Sequence, residues 1–131
     1  MEIIEREITE TILRKVKPGK VIIINGARRV GKTILLREMI NKLNEPCLLL
    51  NGEDYNTLEL LARRSAENYR QILGSKKILI IDEAQKIPDI GKILKLIADE
   101  LPSVKILITG SSAFDLKNLA GEPLTGRKIT F

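Results

Sequence analysis

Residues 20–40 read KVIIINGARRVGKTILLREMI, and this stretch decides the fold. Lys20–Asn25 is a short, continuous apolar run of β-branched residues, the pattern of a strand buried on both faces. Gly26 to Gly31 interrupts it, and from Thr33 onward the apolar residues return at helical spacing. Gly26-Ala27-Arg28-Arg29-Val30-Gly31-Lys32-Thr33 matches G-x-x-x-x-G-K-[ST] at every fixed position, between a strand and a helix as that motif requires. Glycines allow the backbone to turn its N–H groups inward onto phosphate oxygens, and the helix that follows offers its positive end. Lys32 reaches the β- and γ-phosphates as a compact charge. The Thr33 hydroxyl is a hard oxygen of the kind Mg²⁺ takes. With glycine at roughly 7% of residues, chance agreement at four fixed positions is below about one in a hundred for a chain of this length. Residues 26–34, ending at Ile34, are therefore the candidate nucleotide-binding segment. Arg28 and Arg29 read as solvated within it, with contact to a partner as the alternative.

A second run, ILIIDEAQ over 78–85, supplies the other half of the chemistry. Its apolar residues form a buried strand, and Asp82 emerges at the carboxyl end, where open α/β sheets collect their ligands. An aspartate there can hold Mg²⁺, directly or through water. Glu83 can orient a water and take its proton for in-line attack on a γ-phosphate; the bland alternative is a solvated acid at a helix start. Switch-type GTPases place a glycine three residues after this aspartate, and here that position is Gln85. The run NKLN at 41–44 mimics a guanine-reading N-K-x-D but lies in a helical pattern and ends in Asn. Water is the expected acceptor.

The remaining pattern alternates in the same way. Ile4, Ile8, Ile12 and Val16 predict a helix over 3–17, stopped by Pro18-Gly19. Strands are expected over 46–51, read as a second buried strand, and over 77–82, 104–109 and 127–131. One helix is expected from Asn56 to Leu73, opened by an Asn56–Glu59 capping box and closed by Gly74, with Leu58, Leu61, Ala62, Ser65, Tyr69, Ile72 and Leu73 on its buried face. Another opens at Pro88, with Ile90, Ile93, Leu94, Ile97 and Leu101 inward. The expected fold class is α/β, a three-layer P-loop NTPase with a parallel sheet between helices.

The chain has 131 residues, sized for one domain, 1–131. Apolar residues make up 44% and aromatics 3%, so Ile and Leu fill the interior. No apolar run approaches the ~20 residues that cross a bilayer, and Met1 does not open a secretory signal; a cytoplasmic location is expected. The lone Cys47 cannot form an internal disulfide and reads as a buried small hydrophobe. With one Cys and no His, zinc has no foothold. Basic residues outnumber acidic ones by 22 to 17. They are spread along the sequence without a basic block, which reads as a solvated mixed-charge surface rather than a nucleic-acid site.

The runs INGARRVGKTILLREMI, LIIDEAQKIPD and KILITGSSAFDLKNLAGEPLTGRKITF resemble P-loop ATPases of the AAA superfamily. Within it, the chain is similar to archaeal and bacterial ATPases whose N-terminal AAA domain precedes a C-terminal domain of poorly known function. The resemblance implies a sheet ordered 5-1-4-3-2 and ATP rather than GTP as ligand. It also implies a sensor after the fourth strand, where Ser111 stands with Thr109 and Ser112 beside it; an ordinary helix N-cap is the equal alternative for Ser111. Arg127 in TGR is the candidate arginine acting on nucleotide, across a subunit boundary in a homo-oligomer, with a plain surface arginine as the alternative. Because the sequence stops at Phe131 inside an expected strand, a longer polypeptide is expected, with a lid and C-terminal domain that would engage DNA or a protein partner. The expected function is Mg²⁺-dependent ATP hydrolysis, and the alternative is a slow nucleotide-dependent switch or a DNA-associated ATPase.

Overall fold

The computed structural model describes residues 10–25, 29–110 and 128–130, with side chains of 25, 29–35 and 128–130 outside that description. Helical residues 10–15 form α1, followed by β1 (Val21–Asn25), α2 (Arg29–Leu43), β2 (Cys47–Asn51), α3 (Tyr55–Ala62), α4 (Ala66–Leu73), β3 (Ile78–Asp82), a 3₁₀ turn (Ala84–Lys86), α5 (Ile90–Glu100), β4 (Lys105–Gly110) and β5 (Lys128–Thr130). The strands make one sheet ordered β2-β3-β4-β1-β5, the implied 5-1-4-3-2 read from its other edge, and every pairing is parallel.

Alternating side chains leave a strand on opposite faces, and the core divides accordingly. Ile22, Ile24, Ile78, Ile80 and Leu107 pack beneath α1 and α2, against Ile12, Leu36 and Met39. Val21, Ile23, Leu79, Ile81, Ile106 and Ile108 pack on the other face against Tyr69, Leu73, Ile90, Ile93, Leu94 and Ile97. The apolar faces expected for α4 and α5 are thus the buried ones, with Leu101 packed half-buried at the end of α5.

Four local expectations are corrected by the structure. The phosphate-motif interruption is shorter than expected, since α2 already begins at Arg29. The helix expected from Asn56 to Leu73 is two helices: the Ser65 hydroxyl accepts from Asn68 N and caps α4, while Asn68 Nδ2 donates to the carbonyls of Leu60 and Arg63 at the end of α3. The expected Asn56–Glu59 box is not the cap of α3, because Asp54 Oδ1 accepts from Asn56 N at 2.9 Å and the helix starts at Tyr55. Pro88 precedes α5 without opening it; Asp89 stands between them at φ 54°. Its carboxylate meets Arg64 at 2.6 Å, and that hydrogen bond and charge hold it below the ordinary aspartate range.

β2 lies at the sheet edge, so it is not buried on both faces: Leu49 is 54% exposed, and Cys47 is half-buried rather than interior. The Cys47 thiol donates to the Glu45 carbonyl, and burial together with the Glu45 charge pushes its pKa up. Tyr69, by contrast, is fully interior, with its hydroxyl donating to the Leu61 carbonyl at 3.0 Å. Tyr69→Phe leaves that carbonyl without its donor and is expected to cost about 1 kcal/mol. The check is a lower urea midpoint at unchanged slope. Among the described residues no helix is long and apolar enough to cross a membrane.

Candidate functional site

Parallel register sets the geometry of the site. Ile81 pairs with Ile108 and Ile24 with Thr109, so Asp82 at the end of β3 stands level with Thr109 on β4 and Ile24 on β1. Asn51 completes the row on β2. The residue beyond each is Gly52, Glu83, Gly110 and Asn25. Both sequence motifs therefore leave the same carboxyl edge of the sheet, separated only by β4. At about 4.8 Å per strand, β3 and β1 lie roughly 10 Å apart. Asp82 and Thr109 share strand parity with Ile80 and Leu107, which pack under α2. The aspartate thus belongs to the layer of the helix that carries Lys32 and Thr33.

Asp82 is half-buried and Glu83 is 4% exposed. The solvated-acid alternative for Glu83 is thereby excluded. Thr109 is fully buried; its hydroxyl donates to Asp82 Oδ1 and accepts from Glu83 N at 3.0 Å. One hydroxyl can do both, because it carries one proton and two lone pairs. Glu83 N also donates to Asp82 Oδ1 at 3.1 Å. These bonds hold Glu83 at φ 52°, a left-handed conformation that a non-glycine residue seldom adopts. The Glu83 carbonyl accepts from Lys86 N at 3.1 Å, closing the 3₁₀ turn. Strain of this kind persists where surrounding bonds over-determine it, and it clusters at working sites.

Three contributors escaped the sequence reading. Thr109 stood there only as a neighbour of Ser111, yet it orients both acids. Gln85 served only to tell the motif from a GTPase; its Nε2 donates to Glu83 Oε1 at 2.8 Å, while its own Oε1 is buried with no hydrogen-bond partner among the described residues. Gly52 gave no signal at all. Its N–H donates to the Asp82 carbonyl at 2.7 Å, and a Cβ there would overlap the Glu83 carbonyl and reach Ile87 Cγ1 at 3.3 Å. Only glycine allows the β2 edge to approach the acidic pair so closely.

Arg29, Val30, Gly31, Lys32, Thr33 and Ile34 lie, by their backbone, in the opening turns of α2. Gly26, Ala27, Arg28, Ser111, Ser112 and Arg127 fall outside the described residues. Among the described residues no cluster of three or more acidic, His or Cys side chains could hold a metal unaided. The donor set does fit Mg²⁺ shared with phosphates: among the described residues both hydrogen bonds that the Asp82 side chain accepts fall on Oδ1, which leaves Oδ2 as a hard oxygen donor. A cleft of about 400 Å³ borders Asp82 on the β2 side, between α2 and α3.

Known proteins share this fold. The fold is similar to that of Pif1 helicase from Candida albicans (TM-score 0.61, 16% identity, 99% of this chain and 39% of that one). A DNA replication initiation factor matches with TM-score 0.59 and 19% identity over 95% of this chain and 44% of its own. At these identities the likeness is one of fold. Closer in sequence is an uncharacterized protein of Mycobacterium tuberculosis, 32% identical over 128 residues, or 97% of this chain. One of Methanocaldococcus jannaschii is 31% identical over 125 residues, or 93% of the chain. The chain spans only 28% of the length of these relatives. The family model described as AAA domain matches residues 18–131. With a phosphate motif and an acidic pair converging on one sheet edge, and that match over most of its length, the chain belongs to the AAA domain family as a nucleotide-binding domain of the P-loop ATPase type.

Proposed function

We propose that this domain binds ATP with Mg²⁺ and hydrolyses it. The observation that carries the reading is the buried Glu83, hydrogen-bonded beside a half-buried Asp82 on the edge from which the phosphate loop departs. Gly26 to Ile34 cradle the phosphates through backbone N–H groups, and Lys32 neutralises the β- and γ-oxygens. Thr33 and Asp82 Oδ2 are the protein oxygens for Mg²⁺, which when bound offsets charge developing on the transferred phosphoryl group. Glu83 aligns the attacking water and receives its proton on the carboxylate. Thr109 keeps Asp82 and the Glu83 backbone in register, and Ser111 and Arg127 are assigned to the γ-phosphate side. The site is cytoplasmic, and a C-terminal region would supply the partner, whether DNA, another protein or a second copy.

Phosphate release from Mg²⁺-ATP, measured beside a binding titration, tests this reading; binding without any release would overturn hydrolysis. Lys32→Ala removes a charge-assisted contact and is expected to weaken ATP binding at least about tenfold. An unchanged titration would remove the loop from the site.

A slow switch is the second reading, and one observation favours it. Gln85 Nε2 holds Glu83 Oε1, which restrains how the carboxylate turns to meet a water and leaves Oε2 to take the proton. Single-turnover kinetics separates the two: fast unaided turnover excludes the switch.

A further inference from the structure

The basic residues scattered along the sequence are gathered by the fold. The amino edge of the sheet, opposite the acidic pair, is built from the last turns of the helices, the connections that follow, and the first residue of each strand. Over residues 12–21, 40–47, 70–78, 97–105 and 128, these segments carry ten basic residues against three acidic ones. That excess is larger than the 22 against 17 of the whole chain, so the remainder of the protein is net acidic.

Two facts distinguish this from ordinary complementing of helix dipoles. Only Arg14, Lys15, Lys42 and Arg70 lie in last helical turns. The other six, Lys17, Lys20, Lys76, Lys77, Lys105 and Lys128, lie on connections and strand starts. The strands β3, β4, β1 and β5 are consecutive neighbours, and Lys77, Lys105, Lys20 and Lys128 stand at their amino ends. At about 4.8 Å per strand that row is roughly 14 Å long.

The connections are also tied into one surface. Gly19 N donates to the Val104 carbonyl at 3.1 Å, and Lys105 N to the Lys77 carbonyl at 2.8 Å. On this edge an open cleft of about 340 Å³ is lined by Arg70, Lys76, Lys77 and Glu100 together with the apolar Leu101 and Pro102. Of the three acids, Glu45 is engaged by Lys105 at 3.1 Å and Asp99 by Lys95 at 2.7 Å. Lys15, Lys17, Lys76 and Lys77 are exposed and meet no carboxylate among the described residues.

We propose that this amino edge binds the phosphate backbone of nucleic acid, without reading sequence. The chemistry selects that partner. The large exposed apolar residues among those described, Leu49, Tyr55 and Leu60, all lie on β2 and α3, away from this edge. A membrane-surface site buries apolar side chains below its basic ones, and a protein interface centres on buried aromatic or aliphatic anchors. Exposed basic side chains with no large exposed apolar anchor among the described residues are the composition of a phosphate-contacting surface. The inference is independent of hydrolysis, because the surface lies at the other end of the strands from Lys32 and Glu83.

The test is fluorescence anisotropy with a labelled duplex of about 20 base pairs and arbitrary sequence, titrated at roughly 50 and 200 mM salt. Binding is expected to weaken about 100-fold between the two, the slope for about four neutralised phosphates. The double variant Lys76→Glu, Lys77→Glu should lose at least about tenfold in affinity at the lower salt and flatten the slope, while Lys32→Ala leaves both unchanged. Lys76→Ala with Lys77→Ala repeats the test should charge reversal disturb folding. No binding at the lower salt, or binding untouched by these changes, overturns the proposal. So does a preference for phosphatidylserine vesicles over the duplex.

Discussion

Glu83→Gln is expected to leave Mg²⁺-ATP bound while phosphate release falls about 10²–10⁴-fold, the usual contribution of a positioned general base. The change is a clean one here. Glutamine has the shape of glutamate, and its carbonyl oxygen can accept the same hydrogen bond from Gln85 Nε2. The bonds that fix the turn use the Glu83 backbone, donating to Asp82 Oδ1 and Thr109 Oγ1, and these remain. What disappears is a buried carboxylate able to take a proton. A surface acid would make no such difference, and the 4% exposure of Glu83 already separates it from that class. Binding titration and phosphate release, run on the same preparation, check the result. Hydrolysis at the unsubstituted rate would show that another group is the base.

Gly52→Val is expected to cost about 3 kcal/mol, the upper end of what overpacking usually costs. For a domain of this size that lowers the melting temperature by about 10 °C. The added Cβ meets backbone, the Glu83 carbonyl, which cannot swing aside as a flexible side chain would. That carbonyl is held by Lys86 N, and Gly52 N is held by the Asp82 carbonyl, so neither strand end is free to retreat. Relief of the overlap must displace Glu83. Turnover should therefore fall further than the loss of folded protein explains. Thermal melting followed by phosphate release below the transition measures both; a melting temperature within about 1 °C of the parent would mean that β2 and the acidic pair are not packed as described.

Legibility along the chain followed the range of the interactions involved. Strand–loop–helix around Lys32 and the apolar run before Asp82 could be read directly, because a strand covered on both faces needs a continuous apolar run and a phosphate loop needs glycines at set spacing. The break between α3 and α4 could not. It depends on Asn68 turning back to the carbonyls of Leu60 and Arg63, a contact that periodicity does not encode. Leu49 misled for a similar reason: an edge strand and a central strand carry the same run of leucines, and only the sheet order tells them apart.

By itself the sequence determined the architecture and the chemistry on offer, a parallel α/β sheet with a phosphate motif and an acidic pair at strand ends. These follow from local residue types at fixed spacing. The tertiary structure alone decided that Glu83 is buried, that Thr109 and Gln85 hold the acids, that Gly52 must stay small, and that dispersed lysines meet at one edge. Apart from the Gln85 bond, which spans two residues, each of these depends on residues far apart in the chain being brought level by parallel register, and register is set only when the strands pair.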